Sequence, residues 1–248
     1  MPSGKTALVT GGARRLGAAM TLDLARRGWK VWIHYRDSEE EALSLARRLE
    51  ALGGSGLPVR ADLSEIGGAE ALVQALSPEP PTLIVHSASS WSEDTAATAL
   101  AEAWERSHRL HAWSAVVLTR ALSLWHGTGT GAHLVTLLDA RLRDRDSGHF
   151  SYAFAKRELA LLTRYLAAEF APAVRVNGIA PGMALRDGRT TPAAWAKAGR
   201  DFIPLKRAGR PSEVIRALRF LVDNEYVTGQ ILAVDGGRHL KGDLFGSL

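Results

Sequence analysis

The sequence predicts an α/β fold: a doubly wound parallel sheet of about seven strands with helices on both faces. Three observations carry this expectation. Short apolar runs alternate with longer stretches of helical spacing along the chain. The runs are apolar throughout, not at every second position, as strands covered on both faces require. Residues that bear chemistry fall at the carboxyl ends of these runs, where open parallel sheets bind ligands.

The elements follow in order. TALVT (6–10) reads as the first strand and 16–28 as a helix. VWIHY (31–35) is the second strand, 38–52 is helical, 57–61 is a third strand and 68–76 a helix. TLIVHSA (82–88) is the fourth strand, and one long helix covers 97–125. AHLVTLL (132–138) is the fifth strand, 149–170 a helix and VRVNGIA (174–180) the sixth strand. A helix at 211–223 and QILAVDGG (230–237) complete the sheet. The chain of 248 residues suits one well-buried domain over 1–248. Residues 183–210 lack a sheet role, follow a strand end, and are expected to form a substrate lid.

Composition excludes several functions. There is no cysteine, so disulfides and thiolate metal sites are ruled out, and no metal is expected. The net charge of +5 comes from basic residues scattered among acids, as in RLRDRD (141–146). That pattern suits a solvated surface and a small-molecule partner, not nucleic acid. The amino-terminal residues lack the length and flanks of a signal peptide. No stretch reaches the ~18 apolar residues of a membrane span. A cytoplasmic protein without membrane contact is expected.

TGGARRLG (10–17) joins the first strand to the first helix. Gly11 permits a tight turn, Gly17 permits close packing, and the helix start points N–H groups at a phosphate. Gly11, Arg14, Arg15, Leu16 and Gly17 are candidate cofactor contacts. Arg15 stands where a dinucleotide fingerprint has its middle glycine. It is either a tolerated solvent-facing side chain or a guanidinium that meets the pyrophosphate and a substrate carbonyl. Its planar fork suits the second role.

At the end of the second strand, an acid would bind the 2′-hydroxyl of NAD. Tyr35 and Arg36 stand there instead, with Arg14 nearby and Ser38 adding a hydroxyl. This suits a 2′-phosphate, so NADPH is the expected cofactor. Asp37 lies past the strand, as a cap for the next helix. In ADLS (61–64), Asp62 either accepts a bond from an adenine amino group or caps the following segment, with Leu63 beside it.

Tyr152 and Lys156 are four apart and share one helix face. An ammonium near a phenol favours the phenolate, so the tyrosine can exchange a proton near neutral pH. Asp139 ends the fifth strand, one connection before Tyr152.

With these motifs in sequence, and RVNGIAPG (175–182) and VTGQILAVDGG (227–237) following, the chain resembles a short-chain dehydrogenase/reductase over residues 5–238. Within that family it is most similar to the pteridine and dihydromonapterin reductases. TGGARRLG, HYRDS (34–38), HSASSW (86–91), the Asp139–Tyr152–Lys156 set and DGGRHL (235–240) carry the resemblance. It implies a Rossmann-type fold, NADPH as hydride donor and a homotetramer. It places Tyr152 and Lys156 in the active centre, with Lys156 also holding the nicotinamide ribose. It puts Asp139 where most of the superfamily has Ser, to work with Tyr152 in protonating pterin ring nitrogens. It assigns Arg15 to the cofactor phosphates and pterin edge, and Trp91 to stacking the pterin. His34, Ser87, Ala88, Ser89, Pro181 and Gly182 join the cofactor set through the matched motifs.

The departures are specific. Ser87-Ala88-Ser89 replaces the usual Asn-Ala-Gly, and no Thr that would meet the carboxamide is evident in MALRDG (183–188). His111 stands at the position of the relay Asn. It is either a proton carrier near neutrality or a buried, bonded histidine. Trp91 is likewise either a stacking wall or a loop aromatic packed on the core. The expected function is NADPH-dependent reduction of a pterin, dihydropterin or dihydrofolate. The alternatives are a 3-oxoacyl thioester-type ketone reductase and a non-catalytic NADPH-binding regulator. A serine hydroxyl suits a carbonyl oxygen, whereas a carboxyl can relay a proton to a ring nitrogen while hydride reaches the adjacent carbon.

Overall fold

The computed structural model describes residues 5–129, 131–142 and 148–244, so the ends of the expected 1–248 domain lie outside the described residues. The strands are β1 (Thr6–Thr10), β2 (Lys30–Tyr35), β3 (Ser55–Arg60), β4 (Leu83–His86), β5 (Ala132–Leu137), β6 (Val174–Pro181) and β7 (Ile231–Val234). They form one sheet in the order β3-β2-β1-β4-β5-β6-β7, and every pairing is parallel. The order reverses between β1 and β4, which makes the crevice beyond those two strands the natural ligand site.

The helices divide between the two faces. On one face, α1 (Arg15–Arg26), α2 (Glu39–Ala51) and α8 (Pro211–Asp223) bury Met20, Leu24, Leu45, Leu49, Leu218 and Leu221 against the sheet. On the other, α3 (Gly68–Leu76), α5 (Ser114–His126) and α6 (Phe150–Glu169) bury Leu72, Leu76, Leu118, Leu122, Leu159 and Leu166. The central strands β1, β4 and β5 are buried at every residue, which is why they read as unbroken apolar runs. Edge strand β3 carries Pro58, tolerated where a missing N–H has no ladder partner to lose.

One expectation is corrected. The single helix at 97–125 is instead α4 (Ala101–His108), a π-turn (Arg109–Trp113) and α5. The π-turn adds a residue to the helical winding and leaves carbonyls available to other partners. The segment at 183–210 adds no strand to the sheet, as expected, and contains α7 (Pro192–Phe202), capped by the Thr191 hydroxyl, which accepts from Ala194 N at 3.2 Å. A last helix, α9 (His239–Leu244), follows β7. Among the described residues, no helix is long and apolar enough to cross a membrane.

Candidate active site

The β1–α1 turn is held from beneath. Gly11 has φ +62, and a Cβ there would lie 3.0 Å from Ala88 Cα. A Cβ at Gly17 would lie 2.1 Å from the Gly11 carbonyl oxygen, so no side chain fits. Gly11 N donates to His34 Nδ1 at 3.0 Å, and His34 Nε2 donates to Ala61 O at 3.1 Å. Both ring nitrogens are therefore committed, and burial lowers the His34 pKa to about 4. The His34 side chain is thus a neutral strut under the glycine turn. Thr10 Oγ1 acts as a second strut. It accepts from Ser87 N and Ala88 N, both at 2.9 Å, and donates to His86 Nδ1 at 3.0 Å.

The rim of the turn is basic. Arg14 and Arg15 are exposed at the start of α1. Arg15 has φ +52, a left-handed conformation that costs a non-glycine residue of order 1–3 kcal/mol. The Leu16 side chain packs on the core, leaving its backbone for a ligand. At the end of β2, the Tyr35 hydroxyl donates to Glu39 Oε1 at 3.2 Å, and Arg36 pairs with Asp37 at 2.5 Å. Ser38 is the N-cap of α2, but its hydroxyl makes no capping bond.

Asp62 Oδ1 accepts from Ser64 N at 2.8 Å and Ser64 Oγ at 2.6 Å, a local turn that neither of its two readings described. Burial alone would raise this carboxyl's pKa. The Ser64 bonds, with Arg36 and Arg106, hold it below the usual value. The Leu63 side chain is buried in the core. Pro181 O accepts from Ala140 N at 3.2 Å, and Gly182 N donates to Val234 O at 3.0 Å. These two residues tie the β6 exit to its neighbours beside the site.

At the end of β5, the Tyr152 hydroxyl donates to Asp139 Oδ2 at 2.8 Å. Lys156 Nζ donates to Leu137 O at 2.7 Å and lies 5.8 Å from the Tyr152 ring centroid. Burial lowers the Lys156 pKa to about 8, with the Asp139 charge opposing the shift. Asp139, Tyr152 and Lys156 together line a small cavity.

Arg141, which carried no expectation, closes this group. Its backbone N donates to Asp139 Oδ1 at 2.8 Å, and its guanidinium lies 3.3 Å and 3.4 Å from the two carboxylate oxygens. The same guanidinium sits 5.0 Å from the Trp91 ring centroid. Trp91 in turn stacks on Tyr152, with centroids 4.5 Å apart and planes 14° off parallel. Tyr152, Asp139, Arg141 and Trp91 thus form a closed circuit of contacts. Trp91 remains 56% exposed, so it is not a core aromatic.

His111 sits in the π-turn, fully buried. Its Nδ1 donates to Ser107 O at 2.8 Å, which leaves Nε2 to accept from Ser89 Oγ at 3.0 Å. Burial, then the Lys156 charge, push its pKa well below the ordinary value. This corrects the neutral-pH carrier reading: His111 is a neutral, bonded imidazole. Its backbone carbonyl accepts from His86 Nε2 at 3.2 Å.

Asp94 is a second residue that the sequence did not single out. Its Oδ1 accepts from Ser151 N at 3.0 Å, and its Oδ2 bonds Ser151 Oγ. Its backbone bonds Gly148 and Phe150, forming an isolated bridge with His149. A carboxylate from the Trp91 loop therefore caps the helix that carries Tyr152 and Lys156.

A family model described as enoyl-(acyl carrier protein) reductase matches residues 11–239. A dihydromonapterin reductase of Citrobacter koseri is 30% identical over 238 residues, covering 94% of this chain and 96% of the relative. A 3-oxoacyl-[acyl-carrier-protein] reductase of Synechocystis is 28% identical over 239 residues, covering 94% and 96%. Among solved structures, the FolM alternative dihydrofolate reductase 1 from Brucella canis, complexed with NADP, superposes with a TM-score of 0.89 at 35% identity, covering 97% and 96% of the two chains. A glycine turn at the topological switch, a Tyr–Lys pair on one helix and these likenesses lead to one conclusion: the chain belongs to the short-chain dehydrogenase/reductase family of NAD(P)-dependent oxidoreductases.

Proposed function

We propose that the protein is an NADPH-dependent reductase of a pterin or dihydropterin, with dihydrofolate in the same substrate class. The observation that carries this reading is the 2.8 Å bond from the Tyr152 hydroxyl to the Asp139 carboxylate. The cofactor fits the residues present. The glycine turn leaves the α1 amides facing outward without intrahelical partners, and its rim carries Arg14, Arg15, Arg36 and the uncapped Ser38 hydroxyl. The Brucella relative is an NADP complex.

Bound NADPH supplies a hydride to a ring carbon of the substrate. Tyr152 delivers a proton to the adjacent ring nitrogen, so one C=N bond becomes C–H and N–H. Lys156 stabilises the phenolate left behind. Asp139 holds the Tyr152 hydroxyl, and a proton taken up from solvent on its carboxylate passes to the phenolate to restore the phenol. Arg15 reaches the phosphates and the pterin edge; the strain retained at this position supports a role for its side chain. Trp91 presents a flat face beside Tyr152 for stacking, worth on the order of 1 kcal/mol beyond area burial. Residues 183–210 act as the substrate lid. We further propose a cytoplasmic homotetramer, which light scattering would test; Phe154, Leu161 and Tyr165 leave an exposed apolar stripe on α6 that supports association.

The decisive experiment follows NADPH absorbance with dihydrobiopterin, dihydromonapterin, dihydrofolate and an acetoacetyl thioester. Turnover of the pterins is expected. The 3-oxoacyl reductase likeness favours the thioester as the second reading, and turnover of the thioester alone would establish it. NADPH binding without any turnover would instead mark a regulator.

A further inference from the structure

We propose that Arg60, outside the dinucleotide motifs, is a specificity-determining contact for the 2′-phosphate of NADPH; this rests on the cofactor reading above. Arg60 ends β3 and stands opposite Tyr35, the last residue of β2, in the strand register. Its Nε donates to the Arg36 carbonyl at 3.2 Å. That bond pins the guanidinium beside the peptide leaving β2, where a 2′-phosphate is read.

Charge accounting separates Arg60 from its neighbours. Arg36 is paired with Asp37 at 2.5 Å, and Arg14 with Glu41 at 3.6 Å. A dianionic phosphate approaching either must compete with a carboxylate already in place. Arg60 is exposed, and among the described residues it has no carboxylate partner. It is therefore the uncompensated cation at this sheet end, held in place by a backbone bond that leaves its terminal nitrogens for an anion. A planar guanidinium suits two oxygens of one phosphate. NADH, with a hydroxyl at the same position, would gain little from it.

The test is fluorescence titration of wild type, Arg60→Ala and Arg60→Gln with NADPH and with NADH, alongside thermal melting. Wild type should prefer NADPH. Both variants should lose about tenfold in NADPH affinity, while NADH affinity changes by less than about twofold. Melting should be unchanged, because the side chain is exposed. Arg60→Gln keeps an N–H for the Arg36 carbonyl, so its loss reports charge rather than local folding. A wild type that prefers NADH overturns the cofactor reading itself. A wild type that prefers NADPH, with an Arg60→Gln variant that keeps the same preference or loses both cofactors alike, overturns the Arg60 assignment alone.

Discussion

The Tyr152 proton points at Asp139, so the acid and the phenol act as one unit. Tyr152→Phe should lose about 10²–10⁴ in kcat while NADPH affinity stays within about twofold; single-turnover kinetics with a binding titration would show it, and a wild-type rate would remove Tyr152 from the chemistry. On the proposed mechanism, Lys156 sets the alkaline limit. It is charged below a pKa of about 8 and neutral above it, and only the charged form favours the phenolate. The free-enzyme profile, kcat/KM against pH, should therefore fall as pH rises through about 8. A profile flat well beyond that point would mean the ammonium is dispensable. Tyr152 and Lys156 were legible because their spacing alone puts them on one helix face. Arg141 was not, since within RLRDRD it looks like any solvated charge. The strut role of His34 was not legible because its partners, Gly11 and Ala61, are fixed by strand register, which no local pattern encodes.

Asp94 shows how one element borrows its stability from another. The amino end of α6 has no cap of its own: His149 precedes it without a capping side-chain bond. Asp94 supplies the acceptor from 57 residues away. Asp94→Ala should cost about 2 kcal/mol, since it removes a cap and leaves two buried donors unpaired. Urea unfolding would measure this, and kcat should drop with it because α6 carries Tyr152. A variant as stable as wild type would mean that Gly148 and Phe150 suffice to hold the helix start. Helical periodicity made α6 visible, but a cap so distant in sequence left no signal. The π-turn was equally hidden, because one extra residue barely disturbs the apolar spacing of a long helix. The helix within 183–210 did have a signature, Thr191 followed by Pro192, which the many Gly and Thr residues around it obscured.

At the scale of the molecule, four histidines stand out: His34, His86, His111 and His133 are all buried. Burial lowers their pKa values, to about 4 for His34, about 3 for His86 and His133, and well below the usual value for His111. In the unfolded chain they titrate at about 6.5. Above that value neither state binds the proton and stability is full. As pH falls from 6.5 toward the folded values, the unfolded chain takes up protons that the native state refuses, so stability drops. Each histidine contributes about 1.4 kcal/mol per pH unit in that window, so the four together reach on the order of 5. Chemical denaturation at pH 7.5, 6 and 5 should show this loss, and His86→Asn should reduce it by about a quarter. Equal stability across the series would mean these imidazoles are not held neutral. The alternating pattern made the sheet legible, yet it could not say which histidines the sheet would swallow. The stitch at Asp94 has an architectural consequence as well. Because the Trp91 loop is bonded to the first turn of α6, Trp91 and Tyr152 are held against each other. Across from that stitch, Arg189, in the segment between β6 and α8, lies 3.9 Å from Glu93 of the Trp91 loop. On the lid reading proposed above, differences in 183–210 will decide which guests are admitted.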